Sequence, residues 1–111
     1  MCFSVTIGNG VTSIANNAFY NCESLTSITV NENNTSYYSI NGNLYSKDGK
    51  TLLLYAIGKT ETSFTIPNSV TSIGKMAFSS CSRLTSITIG NNVTSISSHA
   101  FYYCKGLTYE T

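Results

Sequence analysis

The sequence predicts a β-rich α/β solenoid with short helical or 3₁₀ segments and one inserted β-hairpin. Three observations lead there. A 23-residue unit comes back along the chain, as VTSIANNAFYNCESLTSITV from Val11, VTSIGKMAFSSCSRLTSITIG from Val70 and VTSISSHAFYYCKGLTYE from Val93. No single copy holds enough apolar side chains for a core of its own, so copies must stack and share one. Between the first two copies the period breaks, and Asp48-Gly49 stands there between two strand-like runs.

The first element of each unit is a strand of the form L-x-x-I-x-I, with Leu25, Ile28 and Val30 in one copy and Leu84, Ile87 and Ile89 in another. Alternation of aliphatic and Thr places the aliphatics inward and the Thr outward. A turn follows, Gly8-Asn9-Gly10, Pro67-Asn68-Ser69 or Gly90-Asn91-Asn92. These residues tolerate φ > 0, fix φ, or bond their own backbone. The next element is V-T-S-I: Val11 and Ile14, Val70 and Ile73, Val93 and Ile96. The last is A-F-x-x-C-x-x-L, clearest at Phe78, Cys81 and Leu84. Its i, i+3 spacing suits one or two turns of α or 3₁₀ helix, which only packing can hold in place.

The opening fragment keeps this register, with Val5 and Ile7 inward and Cys2 where other copies have Leu. At the far end Leu107 is in place, but Glu110 falls where Ile28 and Ile87 sit. The last strand is therefore expected to turn away or to leave its sheet in solvent. Neither end carries a dedicated polar cap, so both look cut from a longer chain.

Phe19 and Phe78 lie 59 residues apart, two repeats of 23 plus 13 extra. The surplus falls in YYSINGNLYSKDGKTLLLYAI, Tyr37 to Ile57, where strand-like runs flank Lys47-Asp48-Gly49-Lys50. Asp-Gly between strands is a strong hairpin signal. The expected arrangement is an enlarged coil in which a hairpin replaces the short helix. The whole chain, 1–111, then reads as one domain, with regular repeats at about 5–30 and 64–107 and the enlarged repeat at about 31–63.

The recurring pattern V-T-S-I-x-x-x-A-F-x-x-C-x-x-L-T-S-I-T-I, with the NGNLYSKDGKTLL segment beside it, resembles the BspA-type leucine-rich repeat over nearly the whole chain. The resemblance implies a leucine-rich-repeat right-handed coil. It also implies secreted or cell-surface proteins of bacteria and some protists that bind host extracellular or neighbouring-cell proteins.

Composition narrows the function from another side. Charged residues make up 10% of the chain and the formal net charge is +1, against about 25% charged in ordinary domains. Nucleic acid needs a basic face, and none is available. Ser, Thr and Asn fill the deficit, at roughly 40% of the chain, and suit solvent-facing strands and tight turns. No apolar run approaches the roughly 18 residues of a membrane span, so no membrane insertion is expected. The start, MCFSVTIG, is strand-like and carries no basic, apolar leader.

No catalytic constellation emerges. Cys22, Cys81 and Cys104 hold one repeat position, so their side chains point the same way instead of converging on an ion. Coil spacing permits a Cys81–Cys104 bond by distance, whereas parallel Cβ directions disfavour it. Free thiols acting as small apolar residues are the simpler reading. His99, the one histidine, has no nucleophile or orienting carboxylate in the repeat pattern. Glu23, Glu32, Asp48, Glu61 and Glu110 are scattered over different coil corners, so no paired acid–base site is expected. Phosphate-loop motifs are missing, and no cofactor or metal is expected.

Two surface features remain as candidate partner-binding sites. The S-x-T pairs Ser4/Thr6, Ser27/Thr29, Ser63/Thr65 and Ser86/Thr88 should stack into two hydroxyl rows on the strand face. Such rows suit docking of an extended protein partner, an ice- or carbohydrate-binding array, or plain solubility. The hairpin adds Tyr37, Tyr38, Tyr45 and Tyr55 with Lys47 and Lys50 at its tip, and aromatic residues are enriched at interfaces. Tyrosines that merely cover an enlarged core are the alternative. From these, Ser27, Thr29, Ser63, Thr65, Ser86, Thr88, Tyr45 and Tyr55 are taken as the partner-binding candidates. The N-x-[ST] sequons at Asn33, Asn34 and Asn92 matter only in a eukaryotic secretory pathway. The expected function is a non-enzymatic, extracellular protein-binding or adhesion module, with a structural spacer of a larger surface protein as the competing class. Exposed terminal strand edges would also favour end-to-end self-association.

Overall fold

The computed structural model describes residues 4–15, 18–19, 22–102 and 104–107. Cys2, Asn16, Asn17 and Glu110 lie outside them. Nine strands follow one another: β1 (Ser4–Ile7), β2 (Ser27–Val30), β3 (Tyr37–Ile40), β4 (Asn43–Ser46), β5 (Thr51–Leu54), β6 (Ser63–Thr65), β7 (Ser72–Ile73), β8 (Ser86–Thr88) and β9 (Ser95–Ile96). The 23-residue period becomes a parallel ladder, because a strand one repeat later lies directly alongside. Ser4 pairs with Ser27, Ser63 with Ser86 and Ser72 with Ser95. The L-x-x-I-x-I strands make two parallel pairs, β1–β2 and β6–β8.

The extra residues form a three-stranded meander, not a lone hairpin. Strands β3, β4 and β5 are antiparallel. The expected turn at Lys47–Lys50 joins β4 to β5, closed by the Gly49 N–H donating to the Ser46 carbonyl at 2.9 Å. A second turn, Asn41-Gly42, joins β3 to β4 with φ of 51° and 84°. Two successive positive φ values match the twist of the flanking strands, which is why Asn-Gly occupies such turns.

Three expectations need correction here. The hairpin does not replace the short helix. Its last strand, β5, pairs in parallel with β7 and so takes the place of a V-T-S-I strand in a five-stranded sheet ordered β3-β4-β5-β7-β9. Tyr55, one period before Phe78, then takes the helix-position Phe. Second, no helix occurs among the described residues. The A-F-x-x-C segments are successive four-residue turns, with Cys81 N–H on the Phe78 carbonyl at 3.0 Å and Ala77 N–H on the Gly74 carbonyl at 3.2 Å. Met76 and His99, equivalent positions, have φ of 60° and 59°, which stops helix propagation. Neighbouring coils claim the intervening N–H groups: Tyr55 bonds to Ala77, Phe78 to Ala100 and Ser80 to Tyr102, at 2.9, 2.8 and 2.7 Å. Third, Ile89 is not inward. It is 43% exposed, whereas Ile66, one repeat earlier, is 1% exposed.

Burial is organised as two clusters. One gathers Ile7, Leu25, Ile28, Val30, Leu44 and Ala56. The other is built on Tyr45, Leu52, Tyr55, Ile73, Phe78 and Leu84, among others. Strand β4 is buried on both faces: Leu44 serves the first cluster and Tyr45 the second. The enlarged repeat therefore acts as the wall between the two cores.

Candidate functional site

The strand face carrying the S-x-T pairs is solvent-facing because its neighbours, Val5, Ile28, Phe64 and Ile87, turn the other way into the core. Paired registers set the hydroxyls side by side: Thr6 against Thr29, and Ser63 and Thr65 against Ser86 and Thr88. Thr29, Ser63, Thr65, Ser86 and Thr88 are exposed, and Ser27 is half-buried. The expected continuous rows do not form. The Asn41-Gly42 turn lies against β2, where the Ile28 N–H donates to the Gly42 carbonyl at 2.8 Å. It occupies the edge that β6 would need, so the hydroxyl face is divided into a β1–β2 patch and a β6–β8 patch.

Tyr45 and Tyr55, the two aromatic candidates, are 1% and 2% exposed. This corrects their assignment as partner anchors: a ring in the core presents no contact area to a second molecule. Burial also pushes the Tyr45 phenol up to about 12 and raises that of Tyr55. Tyr55 instead packs against Phe64 and Phe78 at centroid distances of 5.0 and 5.3 Å. Among the described residues the exposed tyrosines are Tyr38 and Tyr102, at 44% and 38%. Tyr102 follows Ala100 and Phe101 in the turn, and its ring meets His99 edge-on at 5.1 Å.

The ionisable groups are arranged for structure. Asp48 accepts hydrogen bonds from the Lys50 N–H at 2.9 Å and the Ser46 hydroxyl at 2.7 Å, which hold its carboxyl below the usual range while fixing the turn. Cys22, Cys81 and Cys104 form no disulfide. Burial pushes Cys81 up to about 11 and raises Cys104, so both stay protonated at neutral pH, which suits neither a nucleophile nor a metal ligand. The Cys104 thiol donates to the Phe78 carbonyl at 2.9 Å. Among the described residues no group of three or more His, Cys, Asp or Glu could hold a metal ion. No helix among them is long and apolar enough to cross a membrane.

Comparison with known proteins agrees with the repeat geometry. The family model for the BspA type leucine rich repeat region matches residues 2–47 and 56–111, in six copies. A leucine-rich repeat protein from Eubacterium ventriosum is 37% identical, with a TM-score of 0.85 over 90% of this chain and 27% of its own. A leucine rich cell surface protein from Faecalibacterium prausnitzii is 35% identical, with a TM-score of 0.83 over 95% of this chain and 28% of its own. The pneumococcal vaccine antigen PcpA is 27% identical, with a TM-score of 0.84 over 91% of this chain and 25% of its own. The chain thus spans about a quarter of the length of these structures. No curated protein matches it.

Proposed function

Because the chain belongs to the BspA-type leucine-rich-repeat family, we propose that it is a non-enzymatic protein-binding module of a bacterial cell-surface protein. We read its stack as part of a right-handed coil, and its partner as a host extracellular or neighbouring-cell protein. The observation that supports this best is the β6–β8 face. Ser63, Thr65, Ser86 and Thr88 are exposed, uncharged and in register. An extended partner segment laid across such a face meets fixed hydroxyl donors and acceptors without having to strip water from a charge.

The test is surface-plasmon-resonance binding to immobilised fibronectin and fibrinogen, with Thr65→Lys/Thr88→Lys and Thr6→Lys/Thr29→Lys as paired variants. All these positions are exposed, so the variants should fold, which circular dichroism checks. Saturable binding lost in the first pair and kept in the second supports the β6–β8 face. Binding that survives both variants sinks it.

A structural spacer is the second reading. It is favoured by the solved relatives being about four times as long as the matched part. An ice- or carbohydrate-binding array ranks third, since the divided hydroxyl rows give it only two rungs per patch.

A further inference from the structure

The enlarged repeat leaves a cleft on its first-repeat side. V-T-S-I segments in the later repeats pair strand to strand, β7 with both β5 and β9. Val11–Ile14, the first copy, forms no strand, because the other edge of β5 is already taken by β4. Ile14 and Phe19 therefore stand over Leu44, Leu53 and Leu54 across a space of about 100 Å³. Ala15 and Lys75 line its mouth and are exposed. None of the described carboxylates, Glu23, Glu32, Asp48 and Glu61, lines the cleft, and Lys75 has no hydrogen bond or ion pair among the described residues.

We propose that this cleft is an anchor site on the protein partner's path, taking one branched aliphatic side chain, leucine or isoleucine, from a segment whose neighbouring carboxylate meets Lys75. The proposal rests on the protein-binding reading and deepens it. Size decides the apolar group. A dry cavity of about 150 Å³ holds one benzene, about 25 Å³ for each of its six carbons, so this cleft has room for about four carbon-sized groups. That fits a leucine side chain and is too small for an indole or an extended acyl chain. Charge decides the flank, since an ammonium beside an apolar wall attracts a carboxylate that also shields it. A contact this small gives weak affinity alone, and becomes useful as a desolvated centre within a larger interface.

Methyl-labelled protein titrated with acetyl-Asp-Leu-Asp-amide in nuclear magnetic resonance provides the test. The expected result is saturable shifts of the Ile14, Leu44, Leu53 and Leu54 methyls at millimolar peptide. Acetyl-Asp-Ala-Asp-amide and acetyl-Lys-Leu-Lys-amide should bind about tenfold more weakly or worse. Two exposed-site variants accompany it: Ala15→Trp, which covers the mouth and should abolish the shifts, and Lys75→Glu, which should reverse the preference between the acidic and basic peptides. Absence of saturation, an equal response to the alanine peptide, or shifts that persist in Ala15→Trp would each overturn the proposal. If the peptides fail while fibronectin or fibrinogen still binds through the β6–β8 face, the cleft alone is lost and the module reading stands.

Discussion

Tyr55 stacks on Phe78, with ring centroids 5.3 Å apart and an interplanar angle of 25°. Phe78 in turn stacks on Phe101 at 5.2 Å and 14°. The three rings are separated by one repeat each, so a single column of aromatic side chains runs through the enlarged coil into the regular ones. Phe78 is fully buried and central to this column. Phe78→Ala should lower stability by about 3–5 kcal/mol, read as a drop in the urea midpoint at unchanged slope.

Asn34 sits one repeat after Val11 and is 1% exposed. Its amide donates to the Gly8 and Val11 carbonyls at 2.8 and 3.0 Å. Its carbonyl accepts from the Ser36 and Tyr37 N–H groups at 2.7 and 2.9 Å. Every polar capacity of the side chain is used to tie the first repeat to the enlarged one. Removing it leaves four backbone groups without that partner, so Asn34→Ala should cost about 3 kcal/mol or more. Asn34→Asp should fare no better, since a carboxylate would face two carbonyls. Chemical denaturation of both variants checks this.

Gly58 holds the position that is Cys81 and Cys104 in the following repeats. A Cβ there would lie 2.5 Å from the Ser24 carbonyl carbon and 2.6 Å from Leu25 N, both backbone atoms that cannot step aside. Its N–H donates to the Leu25 carbonyl at 2.6 Å. Gly58→Ala should therefore push the two coils apart and lower the melting temperature sharply. Gly8→Ala, with nothing within 4 Å of the added Cβ, should leave it nearly unchanged.

Alkaline pH should unfold the protein early. Buried Tyr45 and Cys81 hold their protons to about 12 and about 11, from ordinary values of 10.0 and 9.0. The folded state thus binds protons more tightly than the unfolded one. The associated stability is complete below pH 9 and is lost as pH rises through the folded values, about 2–3 kcal/mol for each group. Tyr55 and Cys104 shift in the same direction. A urea midpoint flat from pH 6 to 8.5 and falling above pH 9 is expected, and Tyr45→Phe should flatten part of that fall. A midpoint independent of pH up to 11 would contradict the buried phenol and thiol.

Ile96 pairs in register with Ile73, yet Ile73 is fully buried and Ile96 is 50% exposed. Ile89, just after β8, is exposed as well, so both leave apolar surface open. Self-association end to end would cover it. Light scattering should then show mass rising with concentration, and Ile96→Lys should restore a monomer while changing stability by less than about 0.5 kcal/mol. A strict monomer at high concentration removes this reading.

Most of the repeat could be read from the chain, and the misses have identifiable causes. Asn41-Gly42 is as strong a hairpin signal as Asp48-Gly49, and giving both turns their weight produces a meander in place of a hairpin. Counting back 23 residues from Phe78 reaches Tyr55, which assigns that tyrosine to the core. Counting forward from Phe19 spreads the 13 extra residues over two repeats and hides the match. The cleft and the division of the hydroxyl face carry no motif at all. Both arise because β4 and the Asn41-Gly42 turn take strand edges that a regular repeat would have used.

The sequence by itself determined the period, the inward and outward alternation of β1, β2, β6 and β8, and the stacking of repeats, because these follow from residue spacing and from the need of each unit to share a core. Only the tertiary structure decided whether the i, i+3 segments became helix or turns, since bonds from the adjacent coil competed for the same N–H groups. It also decided which of two equivalent isoleucines is buried and which tyrosine faces solvent. Spacing is a property of the chain, whereas burial depends on which neighbour occupies the next layer, and one irregular repeat changes that neighbour for every surface around it.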